Sequence, residues 1–271
     1  MMGSLHAVCL LLLLSVCHCS EAVDGRHSFS LTTFDPNGRL GQVERAITAT
    51  TLGTPVVALC RQDYIVMGSL QALPSVLVLD DGTSRFARVS PSIAIATSGV
   101  GADGRIVAAA AQRLAVEHQY TFDEHISIET LLEEVSLLFQ EYTVKPGSRP
   151  FGCTLLVAYM PSQRNVALKE GPNTPQLYRI DPSGSVESLG SYGIIGSHTN
   201  SIASQLHNLA GETNNATAAS DLTSVANVFE TYVEEVSSSD QDQHQNQNLR
   251  IITATLSREG LQIKRNKLRK T

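Results

Sequence analysis

Ser98 stands between Thr97 and Gly99 at the end of an apolar run, a setting in which a serine hydroxyl can act as a nucleophile. A nucleophile elbow needs a glycine two residues earlier, so that the chain can turn sharply beneath the hydroxyl, and Ala96 holds that place. The eight histidines are scattered, and no pair falls at the spacing that puts two imidazoles on one helical face for a metal. His118 and His125 straddle a helix end. Cys60 and Cys153 each sit within an apolar, strand-like segment, and their spacing gives neither a disulfide framework nor a zinc pattern, so buried and inert thiols are expected. Glu129, Glu133 and Glu134 fall early in a helical pattern, where they suit the positive end of the helix dipole and need no catalytic role. These patterns give no catalytic residue, no metal ligand and no cofactor-binding residue.

The elements around these residues follow from periodicity and punctuation. Asp35-Pro36-Asn37-Gly38 is turn chemistry, with Pro fixing φ and Gly free to take a conformation closed to other residues, and a helix is expected after it. Pro55 to Cys60 and Tyr64 to Met67 read as a hairpin around polar Arg61-Gln62-Asp63. Ser92 to Thr97 is a third strand, broken by glycines, with Asp103 placed to cap a helix from Arg105 to Tyr120. Ile128, Leu131, Leu132, Val135, Leu138, Phe139 and Tyr142 recur at the helical period behind Ser127, a natural N-cap. The run from Arg149 to Tyr159 is continuously apolar, as expected of a central strand covered on both faces. Gln176 to Ile180 and Val186 to Leu189 form another hairpin, and Gly193 to Gly196 lead into a helix reaching about Leu209. A further helix carries Leu222, Val225, Phe229, Tyr232 and Val236 on one face, and Ile251 to Leu256 is the last strand expected.

Length and apolar content allow one sizeable core, hence one domain with tails. The expected divisions are an apolar leader at 1–26, the domain at 27–236, a polar low-complexity loop at 237–250, and the last strand with a basic tail at 251–271. From Arg258 to Thr271 six basic residues face Glu259 alone, so the rest of the chain holds about −11 against a net charge of −6. That tail is expected to be solvated and mobile. A mildly acidic body without a basic stripe excludes a nucleic-acid binder. Residues 5–17 resemble a secretory h-region, and Cys9, Cys17 and Cys19 lie in or beside them. No Lys or Arg precedes the run, which is also too short to span a bilayer comfortably, so a signal peptide, a mis-assigned start and a buried extension all stay open and membrane insertion is not expected. Asn215-Ala216-Thr217 fits a glycosylation sequon, a triplet common by chance.

Four blocks in order, Ser28 to Ala46, Ser98 to Arg105, Arg149 to Gly152 with its strand, and Tyr178 to Gly184, resemble proteasome α-type subunits, and in wording the type-2 subunits. The resemblance implies an α+β fold, the four-layer αββα sandwich of the N-terminal nucleophile hydrolases, here in a non-catalytic chain. It implies a place in a ring beside other proteasome α subunits, stacked on β subunits and met by regulatory particles, with a role in assembly and in gating the substrate entrance during ubiquitin-dependent degradation in cytoplasm and nucleus.

Proteolytic members of that fold use an N-terminal Thr freed from a Gly-Thr bond. Gly53-Thr54 is the candidate here, and the resemblance then places an acidic and a lysine partner where this chain has Leu70 and Phe86. A threonine hydrolase is therefore disfavoured. By the same resemblance, Arg45 replaces a usual Tyr after Val43-Glu44, and Gln71 and Ala72 occupy the places of a Lys pair, one of which holds an activator's carboxylate. These replacements keep open a divergent paralogue outside the ring, in the secretory pathway if the leader is a true signal.

Overall fold

The computed structural model describes residues 33–72, 85–161, 172, 174–197, 199–211, 217–239 and 249–267. The leader, the start of the Ser28 block, Asn215 and residues 240–248 lie outside them. The chain enters through the expected turn, where Gly38 donates to the Asp35 carbonyl at 2.9 Å and takes φ of 74°. The Asp35 side chain accepts from the Arg39 amide at 2.7 Å. Helix α1, Gly41–Thr51, follows.

Two five-stranded antiparallel sheets are stacked between helices. Sheet A is built from β1 (Val56–Cys60), β2 (Tyr64–Ala72), β8 (Tyr192–Ile195), β9 (Leu249–Ser257) and β10 (Gly260–Lys267), in the order β10-β9-β2-β1-β8. Sheet B runs β3 (Phe86–Arg88), β4 (Ile93–Gly99), β5 (Cys153–Tyr159), β6 (Gln176–Ile180), β7 (Val186–Leu189). Helices α2 (Gly101–Phe122) and α3 (Ile128–Val144) cover sheet B, and α4 (Thr199–Gly211) and α5 (Ala218–Ser239) cover sheet A.

Strand periodicity explains the layers. Along β5, Leu155, Val157 and Tyr159 face α2 and α3 while Leu156 and Ala158 face the other sheet, so both faces are buried and the run reads as unbroken apolar sequence. Between the sheets lie Val56, Met67, Phe86, Leu156, Leu177 and Ile252. Under α5, Val225 and Phe229 press onto β2 at Gly68, where a Cβ would lie 2.5 Å from Val225 Cγ1 and 2.7 Å from the Phe229 ring. The helix can approach that closely only because Gly68 has no side chain. Ser127 caps α3 as expected, accepting from the Thr130 amide at 3.1 Å.

Several expectations are corrected. Helix α2 is longer than Arg105 to Tyr120, and Val100, which makes no side-chain cap, holds its N-cap position in place of Asp103. Gly193 lies inside β8 rather than in a helix lead-in, and β3 was not expected. Residues 237–239 continue α5 and 249–250 begin β9, which trims the expected polar loop. The last expected strand, Ile251 to Leu256, is β9, and the supposed solvated tail folds back as β10 through residue 267. Leu261 and Ile263 alternate with polar residues there, and Gly260, at φ 116°, closes the turn.

Candidate functional site

The junction between α1 and β1 holds the Gly53-Thr54 bond. Three glycines from separate elements meet there. A Cβ on Gly53 would lie 2.2 Å from the Gly99 nitrogen, and one on Gly196 would lie 2.6 Å from the Thr54 carbonyl oxygen. Ser98 Oγ donates to the Thr54 carbonyl at 2.7 Å, and the Ser197 amide donates to the Gly53 carbonyl at 2.8 Å. Ser98 is thus a buried strut rather than an exposed nucleophile. Thr54 Oγ1 is buried with no hydrogen-bond partner among the described residues.

A threonine nucleophile needs a base and a neighbouring charge to lower the cost of proton removal. Leu70 is 3% exposed and packs beneath α5, while Phe86, 4% exposed, sits in the inter-sheet layer. Neither can carry a proton or a charge, and in this chain the Thr54 nitrogen is a peptide amide.

Beside the junction, the second and third sequence blocks meet. Arg149 grips Asp103 with two nitrogens at 2.6 and 2.9 Å, and the Gly152 amide donates to the same carboxylate at 2.8 Å. The Asp103 side chain is 6% exposed. Burial raises its pKa, but the bonds from Arg149 and Gly152 outweigh burial and hold the carboxyl below its ordinary range. The pair ties the first turn of α2 to the start of β5.

On the opposite face, Arg61 Nε donates to Asp221 at 2.9 Å and its other nitrogens reach the Leu209 and Ala210 carbonyls at the end of α4. Tyr64 donates to Asp221 at 2.9 Å. Burial first, and the Asp221 bond next, push the Tyr64 phenol up to about 12. One guanidinium therefore joins the β1–β2 turn, the end of α4 and the start of α5. Burial pushes the thiols of Cys60 and Cys153 up to about 11 and about 12, which fits the inert role expected of them.

Gln71 lies opposite Arg250 of β9, and its Oε1 is buried without a partner among the described residues. Arg45 lies on the exposed side of α1. On the outer side of sheet B an open groove of about 660 Å³ runs between α2 and α3, with Leu114 and Leu138 among its lining residues. Its lining also includes exposed Leu137 and Val144 and the charged Arg113, Glu117, Glu134 and Glu141, while elsewhere on α2 Ile106, Val116 and Tyr120 are exposed, Tyr120 by 92%. Among the described residues no group of three or more His, Cys, Asp or Glu could hold a metal, and no helix is long and apolar enough to cross a membrane.

Two antiparallel sheets face to face between helix pairs, with a Gly-Thr junction at the head of β1, define the αββα sandwich of the N-terminal nucleophile hydrolases. Residues 50–243 match the model of the proteasome subunit, and the chain belongs to that family. It is 35% identical over 162 residues to "Proteasome subunit alpha type-2" of Oryza sativa subsp. indica, covering 60% of this chain and 65% of that one. It is equally similar to "Proteasome subunit alpha type-2-A" of Arabidopsis thaliana, with the same coverage. The type-2 subunit of Trypanosoma brucei brucei is 36% identical over 157 residues, 58% of this chain and 64% of that one. The matched region thus spans less than two thirds of the length of each of these relatives, 64–65%.

Proposed function

We propose that this chain is a non-catalytic α-type subunit of the proteasome core particle, which helps to build the outer ring and to gate the substrate entrance in ubiquitin-dependent degradation. The observation that carries the proposal is the Gly53-Thr54 junction of a family member, packed shut and lacking both ionisable partners at Leu70 and Phe86. A chain of this family without a competent threonine contributes through contacts. The open α2–α3 groove, where exposed Leu137 and Val144 lie beside Arg113, Glu117 and Glu134, supplies one such mixed face. Other α subunits, β subunits and regulatory particles are its proposed partners, in cytoplasm and nucleus, and α1 with its preceding turn is the proposed gate support.

Gln71 and Ala72 favour a second reading, a paralogue outside the ring, because a neutral side chain cannot make the charge-assisted bond of a lysine, a contribution of about 1.5–3 kcal/mol. Native mass spectrometry of the chain purified from its own cells separates the two. Co-migration with a particle of other proteasome subunits is the expected result. A free monomer, or one glycosylated with its leader removed, overturns the proposal.

A further inference from the structure

Helix α1 is poorly made to hold itself together. Five of its eleven residues, Val43, Ile47, Thr48, Thr50 and Thr51, are β-branched, and such side chains lose freedom in a helix and lower its propensity. Leu40, its N-cap, makes no side-chain bond to the first turn, and no basic residue stands in the last. Three threonine hydroxyls are spent on the helix's own carbonyls, Thr48 on Glu44 at 2.9 Å, Thr50 on Ile47 at 2.7 Å and Thr51 on Thr48 at 2.8 Å. Bonds of that kind do not tie a helix to its neighbours.

Packing must therefore hold α1 in place. The helix rests on β4 and β5 and buries only Val43, Ala46 and Thr50, while Ile47 is 37% exposed and Leu52, which follows it, 80%. Helix α3, by contrast, buries six residues behind its Ser127 cap. The chain beyond Leu52 is held firmly. A Cβ on Gly53 would meet the Gly99 backbone, the Gly53 carbonyl accepts from the Ser197 amide at 2.8 Å, and Ser98 holds the Thr54 carbonyl. Loosely and tightly held backbone meet between Leu52 and Gly53.

We infer that residues 33–52 form a strap that releases from the sandwich as one unit, pivoting between Leu52 and Gly53, while both sheets stay folded. A segment with few buried apolar contacts opens at a lower free energy than the whole molecule, and helix formation is cooperative, so α1 opens together. The entry turn goes with it, because Arg39 joins both parts: its amide donates to Asp35 at 2.7 Å and its guanidinium lies 3.8 Å from Glu44. Release uncovers the part of β4 and β5 beneath α1. In a ring this segment is the proposed gate support, which then has a seated and a released state. The release belongs to the free chain as well, so this inference and the proposed function fail separately.

Hydrogen exchange of the full chain, read by mass spectrometry on peptides from residues 40–52 and 128–144, tests the strap. Amides of α1 should exchange together, at least about tenfold faster than those of α3, and at a rate that low urea barely changes, because a small opening exposes little surface. Val225→Ala, which loosens the packing of α5 on sheet A, should speed the exchange of α3 at least about tenfold and leave that of α1 unchanged. Exchange of α1 as slow as that of α3 in the unaltered chain overturns the inference, since α1 would then open only with the whole fold. So does exchange that falls off gradually from Gly41 inward, which is fraying from an end, or an α1 that quickens with Val225→Ala as much as α3 does.

Discussion

Ser98 Oγ donates to the carbonyl of Thr54 at 2.7 Å, joining the end of β4 to the residue two before the start of β1. The bond closes a cluster in which Gly53, Gly99 and Gly196 leave no room for a side chain. Removing the hydroxyl by Ser98→Ala leaves a buried carbonyl without its partner, at a cost of about 1–3 kcal/mol. Gly53→Ala should cost more, because a methyl group would meet the Gly99 backbone, which has no flexible end to move aside. Urea unfolding midpoints of the two variants check this order, and a Gly53→Ala midpoint above that of Ser98→Ala would refute the packing argument.

Asp103 couples stability to acid. Its folded pKa lies below the ordinary aspartate range, so it stabilises the fold above that range and the contribution is lost as pH falls through the folded pKa. Asp103→Asn should therefore lower stability at neutral pH by about 1.5–3 kcal/mol, the range for hydrogen bonds to a charged group. The gap between variant and parent should narrow as the solution is acidified below the ordinary carboxylate range. Chemical denaturation at a series of pH values checks it, and a gap that widens on acidification contradicts the assignment.

What could be read from the sequence depended on how local the cause was. The Asp35 turn, the Ser127 cap and the doubly buried β5 are written within a few residues of themselves. The role of Asp103 was not, since a first-turn aspartate looks like a cap until Arg149 and Gly152 arrive from the connection between α3 and β5. In the sequence Gly193 reads as part of the lead-in to a helix. In the fold it lies inside β8, where a Cβ would meet Leu156 and Leu189, and only tertiary packing distinguishes the two uses of glycine. The alternation in β10 was obscured by its basic residues, and the three residues of β3 are too few to show any period. Of the junction, Leu70 and Phe86 could be singled out only through family resemblance. The Gly53, Gly99 and Gly196 contact depends on three separated segments and left no local signal.

The two thiols offer a chemical check on the layers. With pKa values near 11 and 12, Cys60 and Cys153 hold almost no thiolate at neutral pH. Iodoacetamide should leave both unmodified in the native chain and label both in denaturant. Peptide mapping by mass spectrometry separates them from the leader cysteines. Rapid native labelling of Cys153 would mean that the layer between sheet B and its helices is open.

Arg61 and Asp221 give the sharpest test of the opposite face. Both are largely buried, with side chains 11% and 6% exposed, and each is the other's charge partner. Arg61→Ala strands the Asp221 carboxylate beside Tyr64 and frees the Leu209 and Ala210 carbonyls, so it should cost about 3–5 kcal/mol. Asp221→Asn keeps the shape but loses the charge, and should cost less. Replacing both, Arg61→Met with Asp221→Leu, removes the buried charge altogether and should recover part of the loss, because an apolar pair pays no desolvation penalty. A double-mutant cycle by urea unfolding measures the coupling. Costs that simply add would show that the three elements are held by apolar packing alone and that the guanidinium is a bystander.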